Sequence, residues 1–288
     1  MLRGKSMKLR RIKAVQETSK KNNKRKKRLR RILLFIRNIF ILALLVTTAV
    51  YAAQSPFFNI QAIEVKGAAH YDQQTLVDAS GIIAGENGFR LLFEEPGRFY
   101  FLRVGLAEKA ILESCPYIKT VKARFILPSR ISIEVEERQA AAVLQLTGTS
   151  LLIDREGYLL EINPDLEKSD LPVIKGIKPA TYKPGKKLDI PDDVLPAVFN
   201  LLAEIGELDS KNEDKLLPSV DYIEAGDMNN IGFSLQSRVL VNLGEPVDLN
   251  YKLNAVRTIF NKNIKNNERG KLDFSFDENP VFTPENGG

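Results

Sequence analysis

Few side chains in this 288-residue chain can do chemistry: one histidine, His70, one cysteine, Cys115, and a run of carboxylates at Glu134, Glu136 and Glu137. A general base needs a nucleophile within hydrogen-bond reach, and neither a cysteine nor an obvious hydroxyl nucleophile lies near His70 in sequence. It follows Gly67-Ala68-Ala69 and reads as an exposed loop histidine. Cys115 has no second cysteine to pair with, and its place before Pro116 at a helix end suits a buried thiol. Paired carboxylates are the machinery of glycosidic cleavage. Here, however, Glu134 and Glu136 alternate with Ile133 and Val135, which puts them on the solvated face of a strand. The glycines between Gly81 and Gly88 are not followed by Gly-Lys-Ser/Thr, so there is no phosphate cradle. These residues support no active site, and no catalytic residue, metal or cofactor is expected.

The formal charge of +6 conceals a strong asymmetry. Residues 1–31 hold 15 basic side chains and one acid, Glu17, whereas residues 54–288 hold 26 basic and 35 acidic side chains. Between them Ile39 to Ala53 is uncharged, and with Ile32 to Ile36 the apolar segment runs from 32 to 53, about 33 Å of helix. Arg37 sits close enough to the basic end to snorkel to the headgroups. Val50-Tyr51-Ala52 before Ala53 would also suit a signal peptidase. The long basic region and the lack of a polar break before that point favour an uncleaved anchor. The positive-inside rule then places the N-terminus in the cytoplasm and residues from about 54 onward outside, a single-pass type II protein. The run Lys20 to Arg31 has no aromatic side chain to stack on bases. Anionic membrane lipid, at about 1 kcal/mol per nearby Lys or Arg, is therefore its expected partner, and no nucleic acid.

The outer part is expected to be α+β in two units. Phe58 to Gly67 reads as a strand ended by glycine, Asp72 caps a helix through Ser80, and a second helix runs from Leu102 to Ser114. Val121 to Leu127 and Ile131 to Val135 alternate strictly around Pro128-Ser129-Arg130, the pattern of a β-hairpin. This β-α-α-β-β order packs helices on one face of a three-stranded sheet. The segment Gly81 to Phe101 is left open: Phe89, Leu91, Leu92 and Phe93 either pack or face a membrane.

Further on, strands are expected at Ala141 to Leu146, Ser150 to Ile153, Tyr158 to Ile162, Val220 to Glu224, Ile231 to Leu235 and Arg238 to Leu243. Pro172 and Pro179 make Pro164 to Gly185 loop-rich. Helices are expected from Asp192 to Gly206 and after Asp248, where Leu249, Leu253, Val256 and Phe260 share a face. A last strand, Lys271 to Asp277, sets Leu272, Phe274 and Phe276 toward a core and offers its backbone as an edge. Pro280 cannot extend that ladder, Val281 and Phe282 add apolar surface, and 283–288 reads as a disordered end.

Several stretches together resemble a family. Phe58-x-Ile60 with Ile63-Glu64-Val65-Lys66-Gly67, then Pro116 to Lys119 leading to Ala123 to Pro128, then Ile133 to Arg138, are similar to the POTRA domain of the FtsQ/DivIB bacterial cell-division proteins. Leu151 to Tyr158 is similar to that family's strand and Asp-x-x-Gly turn, and Val239 to Gly244 with Lys252-Leu253 to its late strand and helix. Lys271 to Phe276 resembles its terminal strand.

The resemblance implies a basic tail (1–31), a transmembrane helix (32–53), a POTRA-like domain (57–138), a partner-binding β-domain (139–282) and a short tail (283–288). It further implies a non-catalytic divisome scaffold at the septum, bound to FtsB/DivIC-like and FtsL-like bitopic proteins and helping to control septal peptidoglycan synthesis. The partner-binding residues it implicates are Phe274, Ser275, Phe276, Val281 and Phe282. The alternatives are a POTRA-type secretion or assembly chaperone, which lacks the expected membrane-barrel strands here, and a cell-wall hydrolase, which lacks a catalytic set.

Overall fold

The computed structural model describes residues 29–93, 101–275 and 280–285. Helix α1 spans Leu29–Ala53, 25 residues with no cover from the rest of the chain, about 37 Å at 1.5 Å per residue. Its two threonines turn inward on the backbone: Thr47 and Thr48 donate their hydroxyls to the carbonyls of Ala43 and Leu44 at 2.8–3.0 Å. Every polar side-chain group in that turn is thereby satisfied without water, as a helix in hydrocarbon requires. The basic tail before Leu29 lies outside the described residues.

Among the described residues the strands form two sheets, one of three strands and one of nine. The first is built from β1 (Ala62–Lys66), β2 (Ile118–Ile126) and β3 (Arg130–Glu137), with β3 central, parallel to β1 and antiparallel to β2. Helices α2 (Gln73–Ser80), α3 (Gly88–Phe93) and α4 (Gly105–Ser114) lie between β1 and β2 in sequence. Asp72 caps α2 by accepting the Thr75 N–H at 2.7 Å, and Gly81 ends it in a left-handed conformation. Ile131, Ile133 and Val135 point into the core that Leu76, Leu92, Ala107 and Ile111 fill from the helices. Gly67 must be glycine. It ends β1 at φ +88°, and a Cβ there would collide with the Val135 carbonyl.

The stretch left open in the sequence thus contains α3. Leu92 is buried, Phe89 packs edge-on between Phe58 and Phe125, and Phe93 is exposed; residues 94–100 lie outside the described residues. Helix α4 starts three residues later than its apolar spacing predicts. Leu102 takes φ +51° and Arg103 bridges to Arg124 on β2 instead. The Arg103 guanidinium then forks onto Glu108 with two bonds of 2.7 Å, and Glu108 also accepts the Ala123 N–H at 3.0 Å, so this buried carboxylate is compensated.

The larger sheet runs β12-β11-β10-β9-β8-β7-β4-β5-β6. Its members are β4 (Ala140–Leu146), β5 (Thr149–Asp154), β6 (Leu159–Ile162), β7 (Val173–Lys175), β8 (Val220–Glu224), β9 (Ile231–Leu235), β10 (Val239–Gly244), β11 (Gly270–Asp273) and β12 (Val281–Pro284). Helices α5 (Val194–Ser210) and α6 (Leu249–Lys262) cover one face, on which Leu144, Leu151, Ile174, Phe233, Val241 and Leu272 meet Val198, Leu201, Leu253 and Val256. Val143, Leu152 and Leu160 point the other way, into a smaller cluster with Leu166, Leu171 and Tyr117. Burial on both faces explains why β4 and β5 read as near-continuous apolar runs rather than alternating ones.

Two further expectations need correction. The proline-bounded loop contains β7, only three residues long, yet it sits mid-sheet between β4 and β8 and is parallel to both. Asp248 does not cap α6 through its side chain: it lies at φ +52°, and only its carbonyl serves the helix, accepting the Lys252 N–H.

Candidate partner-binding edge

A nine-stranded sheet has two ends, and each presents a row of backbone N–H and C=O groups. At one end β6 is covered at its start. Residues 185–188 run beside it, with Leu159 N–H donating to Lys186 O at 3.0 Å, Gly185 N–H to Leu159 O at 2.8 Å, and Leu188 N–H to Gly157 O at 2.8 Å. At the other end stands β12, with no strand beyond it among the described residues.

This corrects the sequence reading. The strand at Lys271 is internal, held on one side by β10 and on the other by β12, and Val281 to Pro284 form the edge. Thr283 and Pro284, expected in a disordered end, belong to that edge strand.

The register decides which groups face outward. Gly270 N–H and Phe274 N–H donate to Arg238 O and Asn242 O, so the even residues of β11 serve β10 and the odd ones serve β12. Glu285 N–H donates to Arg269 O at 2.8 Å, and Lys271 and Asp273 stand opposite Thr283 and Val281. The odd residues of β12 therefore close the ladder inward, and by the two-residue alternation Phe282 and Pro284 turn their backbone outward. Pro280 has the same parity. Prolines at 280 and 284 cost the inner ladder nothing and remove outward donors, which restrains indiscriminate edge pairing. Phe282 N–H is the donor left to an incoming strand.

The residues named from the sequence land as follows. Phe274 is buried in the core under α6 and offers no side-chain contact to a partner. Ser275 is exposed, with both its N–H (2.9 Å) and its hydroxyl (2.6 Å) bonded to Asp273. Phe276 lies outside the described residues. Val281 is 59 % exposed. Phe282 stands opposite Leu272 and lays its ring over Gly270, half-buried against the core. A Cβ at Gly270 would meet that ring at 2.9 Å, so glycine there permits the close fit.

Asp273, at the end of β11 and opposite Val281, carries a charge next to the edge, paired with Lys271. Partial burial raises its pKa, but the bonds from Lys271 and Ser275 outweigh it and bring the carboxyl down to about 2. A depressed pKa means stability present above the ordinary value of about 3.9 and lost as pH falls toward about 2. The turn at Asp273–Ser275 is expected to loosen across that window, seen as faster amide exchange at Ser275. Asp273→Asn should abolish the pH dependence, and an unchanged profile in that variant would contradict the assignment.

At the opposite end of the larger sheet from this edge, beside β5 and β6, the two sheets are joined by a side-chain lock that sequence reading missed. Arg138, just past β3, donates to Asp154 at 2.6 Å, with side-chain exposures of 9 % and 7 %. Its guanidinium lies 3.5 Å over the Tyr158 ring. Asp154 also accepts the N–H groups of Glu156 and Tyr158, which shapes the Asp-x-x-Gly turn. Lys119 reaches Glu156 at 2.6 Å, and the Tyr117 hydroxyl donates to Glu161 at 3.4 Å. Burial, with Glu161 beside it, pushes that phenol up to about 12. His70 stacks on the Tyr117 ring at 3.6 Å, and Cys115 is buried, its thiol pushed up by that burial. Glu134 and Glu136 are exposed on β3, whereas Glu137 accepts the N–H groups of His70 and Tyr71.

Comparison with known proteins bears on what such an arrangement serves. Residues 58–138 match the model of the FtsQ-type POTRA domain. The cell division protein DivIB of Clostridium acetobutylicum is 30% identical over 233 residues, 79% of this chain and 84% of that one. The chain belongs to the FtsQ/DivIB family of cell-division proteins. DivIB of Clostridium botulinum is 26% identical over 245 residues, covering 85% of this chain and 88% of its own. The cell division protein FtsQ of Corynebacterium glutamicum is 25% identical over 207 residues, covering 72% and 81%. An FtsQ/DivIB protein acts in division through protein–protein contacts. In this member the POTRA-type unit is the three-stranded sheet with its helices, and the open edge belongs to the sheet beyond it.

Proposed function

We propose that this FtsQ/DivIB protein is a non-enzymatic divisome scaffold. In this reading the basic tail stays in the cytoplasm, α1 crosses the membrane, and the units 57–138 and 139–285 stand outside, at the septum. The larger sheet captures FtsB/DivIC-like and FtsL-like bitopic proteins by accepting a strand from one of them along β12, and so helps control septal peptidoglycan synthesis. The observation that carries this is the difference between the two sheet ends: residues 185–188 bond to the start of β6, whereas no segment among the described residues pairs with the outer side of β12. Strand addition needs such an edge, with backbone bonds supplying affinity and flanking side chains supplying specificity.

Residues 280–288 can be deleted without removing Leu272 or Phe274 from the core, because β11 stays paired to β10. That truncation is expected to leave the far-UV circular dichroism of the outer units nearly unchanged and to abolish co-purification of an FtsB/DivIC-like partner from detergent extracts. Full capture by the folded truncation would overturn the proposal.

A further inference from the structure

The POTRA-type unit exposes apolar side chains beside the anchor. Phe57 is 65 % exposed, Ile83 62 %, Phe93 47 % and Phe101 71 %. They belong to one neighbourhood. Phe57 packs edge-on to Phe58 and Phe58 to Phe89, one turn before Phe93 on α3. Phe89 meets Phe125, whose N–H donates to the carbonyl of Leu102, next to Phe101. Ile83 begins the turn through Glu86, whose carbonyl accepts the Ile60 N–H.

Asn87 ties this neighbourhood to the membrane helix. Its amide nitrogen donates to Ala53 O at 3.0 Å and Ser55 O at 3.1 Å, the end of α1. Its amide oxygen accepts the N–H groups of Phe89 and Arg90, the first turn of α3. One side chain thus joins the last carbonyls of the anchor to the element bearing Phe93. Only three residues separate Ala53 from Phe57, a reach of at most about 14 Å. An apolar corner held so near the end of a membrane helix meets lipid before it meets any soluble partner.

We propose that this corner rests in the outer leaflet, with Phe57, Ile83, Phe93 and Phe101 in the boundary between headgroups and acyl chains and the exposed Arg90 among the phosphates. The ligand is the bilayer surface, and the contact sets the height and tilt at which the larger sheet is presented. The inference rests on α1 crossing the membrane, and the test separates the two.

The chain contains no tryptophan, so single replacements report without background. The full-length Phe57→Trp, Phe93→Trp, Phe101→Trp and Val247→Trp variants are each reconstituted in phosphatidylcholine/phosphatidylglycerol vesicles, with and without brominated acyl chains. Val247 is exposed on the larger-sheet unit and serves as the reference. Emission at 57, 93 and 101 is expected to be blue-shifted and quenched about twofold or more by bromine, with position 247 unaffected. Quenching at 57 alone, with 93 and 101 like 247, overturns the proposal while leaving the anchor. No quenching at 57, 93 and 101 overturns the proposal, and a Phe40→Trp variant, in the middle of α1 and exposed, tests the anchor by itself: quenching there keeps the anchor, and its absence overturns the anchor too.

Discussion

Phe282→Pro is expected to weaken partner capture by a further factor of about ten to a hundred beyond Phe282→Ala, while the nine-stranded sheet stays assembled. The alanine variant removes the ring that covers Gly270 and packs with Leu272, a half-buried contact whose loss costs about 1 to 3 kcal/mol in binding if the ring anchors the partner. Proline removes the ring too, and also the amide. That amide points away from β11, so the inner ladder keeps its bonds through Val281, Thr283 and Glu285. What is lost is the donor to an incoming strand, and the partner carbonyl left unpaired costs about 1 to 3 kcal/mol. Titration calorimetry on the two variants separates ring from backbone. Equal affinities would mean that the Phe282 N–H is not read.

Arg138→Ala is expected to cost about 3 to 5 kcal/mol in urea unfolding, the largest single-site effect outside the apolar cores. The substitution strands Asp154, whose side chain is 7 % exposed, without the cation it meets at 2.6 Å. It also uncovers the Tyr158 ring and releases the tie that holds the end of β3 to the Asp154–Gly157 turn. The two outer units should then move independently, so that their backbone relaxation times in solution diverge. Arg138→Lys keeps the charge but lacks the planar guanidinium that lies over Tyr158, and should recover only part of the loss. Wild-type stability and a single tumbling time in Arg138→Ala would show that the junction does not depend on this pair.

Much of the architecture was legible because it follows local rules. The four-three-four spacing of Leu249, Leu253, Val256 and Phe260 is the buried face of α6, and the alternation around Pro128 to Arg130 is the β2–β3 hairpin. Asp72 and Gly81 bound α2 as expected. What escaped was non-local or too short to show a period. Three residues of β7 cannot display alternation, and its central place depends on pairing with Val143–Leu144 and Ile223–Glu224, far away in sequence. Arg138 and Asp154 were both visible, but nothing in their spacing says that a turn will bring one onto the other.

The candidate site was half legible. The terminal region was found, but the last apolar alternation, Leu272 and Phe274, turned out to be internal. The true edge was hidden by its prolines, which look like strand breakers until the register shows them on the side without partners. The β-branched and aromatic run Val281-Phe282-Thr283 was the available signal.

The alternation at β12 also supplies the most direct test. Amide hydrogen exchange, read residue by residue by NMR on the full chain with and without a bound FtsB/DivIC-like partner, reports which side of the strand is in use. Slow exchange is expected at Val281 and Thr283 in both states, and fast exchange at Phe282 that slows by orders of magnitude in the complex. A Phe282 amide that still exchanges rapidly in the saturated complex would contradict strand addition at this edge.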